Sequence, residues 1–129
     1  MSSRTMTTIS RFIRSVRHAW RGLCIGFKGE KNFRIQTAVG LLVLVGLLIF
    51  PVPRGERLLV LVVLVIVLVL ELLNSSMERL LDLLQPRLNE YVGDVKDMMA
   101  GAVLLASLCA ALIGLFVFAP HILSLFVRV

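Results

Sequence analysis

The sequence predicts an all-α membrane protein in which one amphipathic surface helix precedes three transmembrane helices, all within a single domain of residues 1–129. Of the 129 residues, 58% are hydrophobic and the mean hydropathy is +0.93, against about 45–50% apolar residues in soluble proteins. Three apolar stretches approach the ~20 residues that cross a bilayer. Most of the basic residues precede the first of these stretches.

The surface helix is predicted for residues 8–29. Its apolar residues recur at steps of three and four while arginines occupy the positions between them, the pattern of an amphipathic helix with a basic face. These apolar residues are Ile9, Phe12, Ile13, Val16, Trp20, Leu23 and Phe27. We expect the segment from Gly29 to Asn32 to form the bend into the first span.

The transmembrane helices are predicted at residues 33–50, 57–84 and 97–120. The short turn PVPRGER after the first span predicts a tight antiparallel pair of helices. Pro86 is expected to break the second helix and open a loop of about ten residues, since proline disrupts a helix interior. Gly93–Asp97 would then lead into the third span.

The distribution of basic residues predicts the orientation in the membrane. Eight of the 14 Lys and Arg residues precede residue 35, and three more, Arg79, Arg87 and Lys96, lie in or beside the second loop. The opposite side carries only Arg54, Arg57 and Arg128. The positive-inside rule therefore places the N-terminus and the second loop in the cytoplasm. The basic charge is thus assigned to membrane orientation, and no nucleic-acid partner is predicted.

Neither the N-terminal segment nor the cysteines suggest processing or metal binding. Residues 1–34 lack the short apolar core and small-residue cleavage site of a signal peptide. Cys24 and Cys109 are too few and too far apart for a disulfide framework or a zinc site, and both are expected to pack among apolar residues.

The stretch ELLNSSMERLLD, residues 71–82, places polar residues at the end of the second span. At 3.6 residues per turn, Glu71, Asn74, Glu78 and Asp82 share one helix face. With the helix starting near the outer boundary, Glu71 lies about 20 Å into the bilayer and Glu78 about 30 Å, at the cytoplasmic boundary. An ionisable residue within a membrane is a functional candidate. Alternatively, Glu78 and Asp82 are simply the solvated end of the helix, and Asn74 forms hydrogen bonds that join helices.

Further charged residues are predicted at the same boundary. Glu30 precedes the first span, and Lys96 and Asp97 precede the third. Glu30 and Glu78 offer oxygen ligands of the kind that Mg²⁺ takes together with phosphates. Lys96 is suited to a polyphosphate, with Asp97 holding it in place, and Glu71 to accepting a proton from a hydroxyl that arrives through the lipid. These parts suit phosphoryl transfer, although the sequence contains no GxxxxGK[ST] loop.

A function of another class is also compatible with Glu71. A small proton-coupled transporter, or another non-enzymatic oligomeric membrane protein, would use a single buried acid of this kind. That alternative leaves Glu30, Glu78 and the Lys96-Asp97 pair at one boundary unexplained.

Four segments carry a resemblance to a known family. The pattern ExxNSxxExxxD of residues 71–82, the later VKDMMAGAVLL, FKGEKNFRIQ before the first span and AWRGL in the surface helix appear in order between Ser10 and Phe118. Together they resemble the prokaryotic diacylglycerol kinase and undecaprenol kinase family. The segment EKNFRI is more similar to the undecaprenol kinases. Departures from the family pattern are Ser75-Ser76-Met77, Val95 and Met99, which leave the chemical positions intact.

The resemblance implies an ATP- and Mg²⁺-dependent kinase of a membrane lipid alcohol, either diacylglycerol or undecaprenol. It also implies a homotrimer with sites shared between subunits, in the inner (cytoplasmic) membrane of a bacterium. By match to the motifs, Glu71 is the general base, Asn74 orients Glu71 or the phosphoryl group, and Glu30 and Glu78 bind the metal. The nucleotide-binding residues implied are Arg11, His18, Glu30, Glu78, Lys96 and Asp97. The lipid-binding residues implied are Arg11, Trp20, Phe33, Glu71 and Ala100.

Overall fold

A computed structural model of the chain describes residues 8–84 and 89–127. This part of the chain forms four helices: α1 (Thr8–Gly29), α2 (Lys31–Ile49), α3 (Arg54–Leu84) and α4 (Asn89–Val127). The predicted all-α class is confirmed, and the described residues contain no strand. The predicted break at Pro86 lies outside the described residues.

Three of these helices, α2, α3 and α4, are long and apolar enough to cross a membrane. The bounds of α1 match the prediction, and α2 matches to within two residues. By contrast, α4 begins at Asn89 and ends at Val127, where the sequence predicted 97–120. The glycine and charges of residues 93–97 are accommodated inside the helix instead of forming a loop. Pro120 also lies within the helix, and membrane helices tolerate such prolines because neighbouring groups satisfy the freed backbone.

The breaks between the helices are short. Glu30 alone separates α1 from α2, with extended backbone angles of φ −111° and ψ 116°, which confirms the predicted bend. Between α2 and α3, the backbone N–H of Val52 donates to the carbonyl of Phe50 at 2.8 Å, and the side chain of Val52 is buried. This tight turn makes α2 and α3 antiparallel neighbours.

An apolar cluster holds the helices together at the end of the molecule that includes this turn. It consists of Leu47, Val52, Val60 and Val117. Nearby, the rings of Phe50 and Phe118 meet edge to face with centroids 6.1 Å apart, an arrangement that aromatic pairs prefer. The charged contacts between helices lie at the opposite end, so the fold separates an apolar end from a polar one.

The surface of the isolated chain is large for its mass. Its accessible area is 10403 Å², whereas a soluble protein of this mass exposes about 6,800 Å². Large apolar side chains on every helix contribute to the excess, including Phe12, Leu42, Leu83 and Phe116. Such a surface is suited to contact with lipid or with other membrane helices, in keeping with a membrane protein.

Candidate functional site

Polar side chains from α2, α3, α4 and the bend before α2 meet at the end of the molecule opposite the apolar cluster. We call this set the polar layer. It consists of Glu30, Gln36, Glu71, Asn74, Glu78, Arg79, Asp82 and Lys96. Hydrogen bonds or ion pairs join each of these residues to another member of the set.

Glu71 is the most deeply buried acid of the polar layer, with 3% of its surface exposed. Gln36 of α2 donates a hydrogen bond from Nε2 to Glu71 Oε2 at 3.2 Å. This contact crosses the α2–α3 interface and fixes the carboxylate relative to both helices. In the sequence, Gln36 is a polar residue within the largely apolar first span and belongs to none of the predicted site residues. Its partner depends on how α2 and α3 align, which the sequence alone does not give.

Asn74 and Glu78 form a second contact one turn further along α3. Asn74 Nδ2 donates to Glu78 Oε1 at 3.0 Å, as expected for residues four apart on one helix face. The other amide atom of Asn74, Oδ1, is buried and has no hydrogen-bond partner among the described residues. Asn74 therefore presents an unsatisfied acceptor within the polar layer, and buried acceptors of this kind are rare.

Glu30 forms an ion pair with Arg79, which the sequence marks only as a basic residue in or beside the second loop. Both Nε and Nη2 of Arg79 donate to Glu30 Oε1, at 3.1 and 2.7 Å. Glu30 stands at the N-cap of α2, yet its side chain makes no capping hydrogen bond. The carboxylate instead points toward α3, where its partner Arg79 directly follows Glu78 in the sequence. This ion pair brings Glu30 into the polar layer, as predicted from its position before the first span.

Lys96 joins α4 to α3. Its Nζ lies 2.5 Å from Asp82 Oδ1, so the structure pairs Lys96 with Asp82 and not with the adjacent Asp97, the partner expected from the sequence. Asp97 is exposed. The difference arises because the helix continues through residues 93–97, which turns Lys96 toward α3.

The remaining predicted residues lie outside the polar layer. Arg11, His18 and Trp20 are exposed on α1. Phe33 is buried at the start of α2, where its ring lies next to Gly26. Ala100 is exposed on α4, one turn beyond Lys96. Within one copy of the chain, the structure thus brings Glu30, Glu71 and Glu78 together, but neither Asp97 nor these five residues joins them.

The polar layer offers two carboxylates, those of Glu30 and Glu78, of the chemical type that Mg²⁺ binds. Glu30 and Glu78 each have one oxygen in a hydrogen bond, which leaves Oε2 of each side chain. Both carboxylates lie within electrostatic range of Glu71. No group of three or more His, Cys, Asp or Glu in the described ranges is arranged to hold a metal alone. Mg²⁺ does not require one, because it commonly takes one or two carboxylates together with water and substrate phosphates.

Two cavities adjoin the polar layer. The larger, of about 380 Å³, lies between α2, α3 and α4, is lined mainly by apolar side chains, and has Gln36 on its wall. The smaller, of about 320 Å³, lies between α1 and α3 and is bordered by Glu30 and Arg79 together with Ser75 and Ser76. The polar layer is therefore accessible both from an apolar space and from a more polar one.

Three membrane-spanning helices with an acidic and basic layer at one end define a small integral membrane protein. Residues 17–118 match the family model of prokaryotic diacylglycerol kinase. The chain belongs to the prokaryotic diacylglycerol kinase family, a family of lipid kinases, which confirms the resemblance drawn from the motifs.

Individual relatives bear the same family names. The chain is 34% identical to the diacylglycerol kinase of Synechocystis over 88% of its own length and 65% of that protein. It is 29% identical to the undecaprenol kinase of Bacillus subtilis, over 88% of the chain and 93% of that protein. It is 30% identical to the diacylglycerol kinase of Escherichia coli K12, over 82% and 87% respectively. These sequence identities are too similar to distinguish a diacylglycerol kinase from an undecaprenol kinase.

Proposed function

We propose that the protein transfers the γ-phosphoryl group of ATP to the hydroxyl of a membrane lipid alcohol, in a reaction that depends on Mg²⁺. The product is phosphatidic acid if the substrate is diacylglycerol, and undecaprenyl phosphate if it is undecaprenol. The observation that carries the proposal is the buried carboxylate of Glu71 in one layer with Glu30 and Glu78. The names of the relatives support the same chemistry.

In the proposed reaction, Glu71 is the general base. Its carboxylate accepts the proton of the lipid hydroxyl while the hydroxyl oxygen forms a bond to the γ-phosphorus. The bond from that phosphorus to the bridging oxygen breaks, and ADP leaves. The hydrogen bond from Gln36 holds Glu71 in position, and a positioned base typically contributes 10²–10⁴-fold to the rate.

The other residues of the polar layer handle the phosphate charge. Glu30 and Glu78 would hold the metal, and Lys96 would exchange its contact with Asp82 for one with a phosphate oxygen. The metal would supply positive charge that offsets the charge of the transferred phosphoryl group. The unsatisfied Oδ1 of Asn74 is suited to accept a hydrogen bond from a water molecule in the site.

The larger cavity provides a site for the lipid chain. Its apolar lining is compatible with hydrocarbon, and Gln36 on its wall contacts Glu71. A lipid lying in this cavity would therefore have its hydroxyl close to the proposed base. We further propose a homotrimer in a bacterial inner membrane, with the N-terminus and polar layer on the cytoplasmic side where ATP is present.

Phosphorylation by the purified protein tests the proposal. The protein, in detergent or in bilayers, would be incubated with Mg²⁺, labelled ATP and either diacylglycerol or undecaprenol. Chromatography would then separate the labelled lipid product from the remaining ATP. We expect at least one labelled lipid, and its loss in Glu30→Gln and Glu78→Gln with the oligomer intact. Absence of product with both lipids contradicts the kinase proposal, whereas near-normal turnover in both variants at ordinary Mg²⁺ removes these residues from the metal site.

A further inference from the structure

We propose that Arg79 is a resident counter-ion of the metal site, which occupies Glu30 in the metal-free protein and yields it when a divalent cation binds. Arg79 would then set the cation concentration that the protein requires. This inference rests on the proposed function, because it takes Glu30 as a metal ligand. It concerns a residue that none of the motifs carrying the family resemblance requires.

The geometry of the pair places the guanidinium of Arg79 at one oxygen of the Glu30 carboxylate. Two nitrogens of Arg79 converge on the single oxygen Oε1 of Glu30, at 3.1 and 2.7 Å. A divalent cation bound at that carboxylate would face a positive charge only a few ångströms away. Since repulsion between like charges rises as their separation falls, the cation and the arginine compete for Glu30.

Electrostatics explains why a counter-ion is useful when no metal is bound. Glu30 and Glu78 each lie close enough to Glu71 for their negative charges to repel its carboxylate, and this repulsion opposes folding of the polar layer. Lys96, the other cation of the polar layer, is in contact with Asp82. Arg79 is therefore the residue that offsets the charge of Glu30 in the metal-free protein.

The surroundings allow the guanidinium to leave. The Arg79 side chain is 51% exposed and borders the smaller cavity, whose wall also contains Ser75 and Ser76. Those two hydroxyl-bearing residues offer alternative partners on the same helix. Exposed ion pairs are also weak, so a divalent cation is able to displace this one.

Gly29 provides the space in which the guanidinium lies. A Cβ at Gly29 would overlap Nη2 of Arg79, so alanine there forces the guanidinium to move. Gly29 does not have a positive φ, and alanine is therefore compatible with the backbone. Gly22 is the matched control, because it lies in the same helix and a Cβ there has nothing within 4 Å.

Binding of Mn²⁺ to the nucleotide-free full-length protein tests the proposal directly. Mn²⁺ prefers the same oxygen ligands as Mg²⁺, and electron paramagnetic resonance reports the free ion. We expect Arg79→Met to bind Mn²⁺ up to about fivefold more tightly than the wild type, the range set by exposed ion pairs. Gly29→Ala should shift the affinity in the same direction, whereas Arg79→Lys and Gly22→Ala should stay close to the wild type.

Thermal unfolding gives a second measurement that does not depend on activity. Without divalent cations, Arg79→Met should unfold at a lower temperature than the wild type, and added Mn²⁺ should raise its Tm by more. Ligand binding to the folded state stabilises it in proportion to affinity. Arg54→Met removes the same charge at the other end of the molecule and should respond to Mn²⁺ as the wild type does.

The outcomes separate this inference from the proposed function. Equal or weaker Mn²⁺ binding by both Arg79→Met and Gly29→Ala overturns the role of Arg79 and shows that the arginine only holds α3 to the bend. Glu30→Gln provides the other comparison. If it binds Mn²⁺ as tightly as the wild type, Glu30 is not a metal ligand, and the metal site of the proposed function fails as well.

Discussion

Glu71 and Glu78 lie on the same face of α3, seven residues apart and therefore separated by about 10 Å along the helix axis. Glu71 is almost fully enclosed and contacts an amide of α2, whereas Glu78 is half-buried and contacts Asn74 of its own helix. The two acids thus differ in both depth and partner. In the proposed reaction, this difference is the reason to assign Glu71 to the lipid hydroxyl and Glu78 to the metal and nucleotide that arrive from water.

Replacing Glu71 with glutamine tests that division. Glutamine preserves the shape of the side chain but does not accept the hydroxyl proton, so we expect phosphoryl transfer to fall by at least ~10²-fold. The affinity for Mg²⁺-ATP should stay near that of the wild type. The measurements are nucleotide binding to the purified protein and single-turnover phosphorylation of a short-chain lipid alcohol.

A matched control for this variant exists on the same helix. Glu56 lies in the first turn of α3 at the apolar end and is exposed, so Glu56→Gln should leave both measurements unchanged. If the ATP affinity of Glu71→Gln collapses together with the rate, Glu71 belongs to the nucleotide site. Asp97 then becomes the next candidate for the base.

Contacts within one helix could be predicted from the sequence, but contacts between helices could not. Helical periodicity placed Glu71, Asn74 and Glu78 on one face, and the structure has them there. The partners Gln36 for Glu71 and Arg79 for Glu30 depend on the alignment of neighbouring helices. The hydrophobic pattern of an apolar span defines that alignment poorly, because nearly every position is apolar.

At the level of the helices, Gly26 is the point where α1 approaches α3. It is the buried residue of α1, and a Cβ there would lie 2.6 Å from Leu72 Cδ2. The rest of α1 is largely exposed, so this crossing and the Glu30–Arg79 pair hold the end of α1 against α3. Both contacts lie beside the proposed metal site.

A larger residue at Gly26 should separate the two helices. We expect Gly26→Val to lower the free energy of unfolding in detergent by about 1–3 kcal/mol, the usual cost of overpacking. Adding Leu72→Ala should recover much of this loss, because it removes the side chain that valine meets. Gly22→Val, with no neighbour within 4 Å, controls for the β-branched residue in a helix. Equal losses in Gly22→Val and Gly26→Val would show that packing against α3 is not the cause.

Among the helix ends, those of α4 were predicted least well. The bounds of α1 followed from its amphipathic period, but α4 begins eight residues before the predicted 97 and ends seven residues after the predicted 120. Hydropathy reports which residues suit a bilayer and not where a helix stops. A helix that continues into water keeps its hydrogen bonds, and the charges at residues 94–97 do not prevent this.

The isolated chain exposes more apolar surface than a soluble monomer of this mass. We expect part of that surface to be buried between the three subunits of a trimer. Native mass spectrometry from detergent should give a mass near three times 14.3 kDa, with bound detergent removed. The trimer should persist on dilution above the critical micelle concentration. A monomer or dimer under those conditions contradicts the assembly that we propose.

Labelling of engineered cysteines tests the orientation of the molecule in the membrane. After replacement of Cys24 and Cys109, a membrane-impermeant thiol reagent should modify Asp94→Cys only from the cytoplasmic side, because the basic residues concentrate there. The same reagent should reach Gly55→Cys from outside, since that position is exposed at the start of α3, at the apolar end of the molecule. The reverse pattern would place the polar layer away from ATP and end the kinase proposal.

Glu30 is both the entire connection between α1 and α2 and a residue of the proposed metal site. The 19 residues of α2 rise about 28 Å, close to the ~30 Å of a hydrocarbon core. Membrane helices respond to thinner or thicker bilayers by changing tilt. If amphipathic α1 stays on the membrane surface, the change in angle falls on the backbone of Glu30 and moves its carboxylate. We therefore expect the turnover rate to change with the acyl-chain length of the host lipids. The activity of the enzyme would then depend on bilayer thickness.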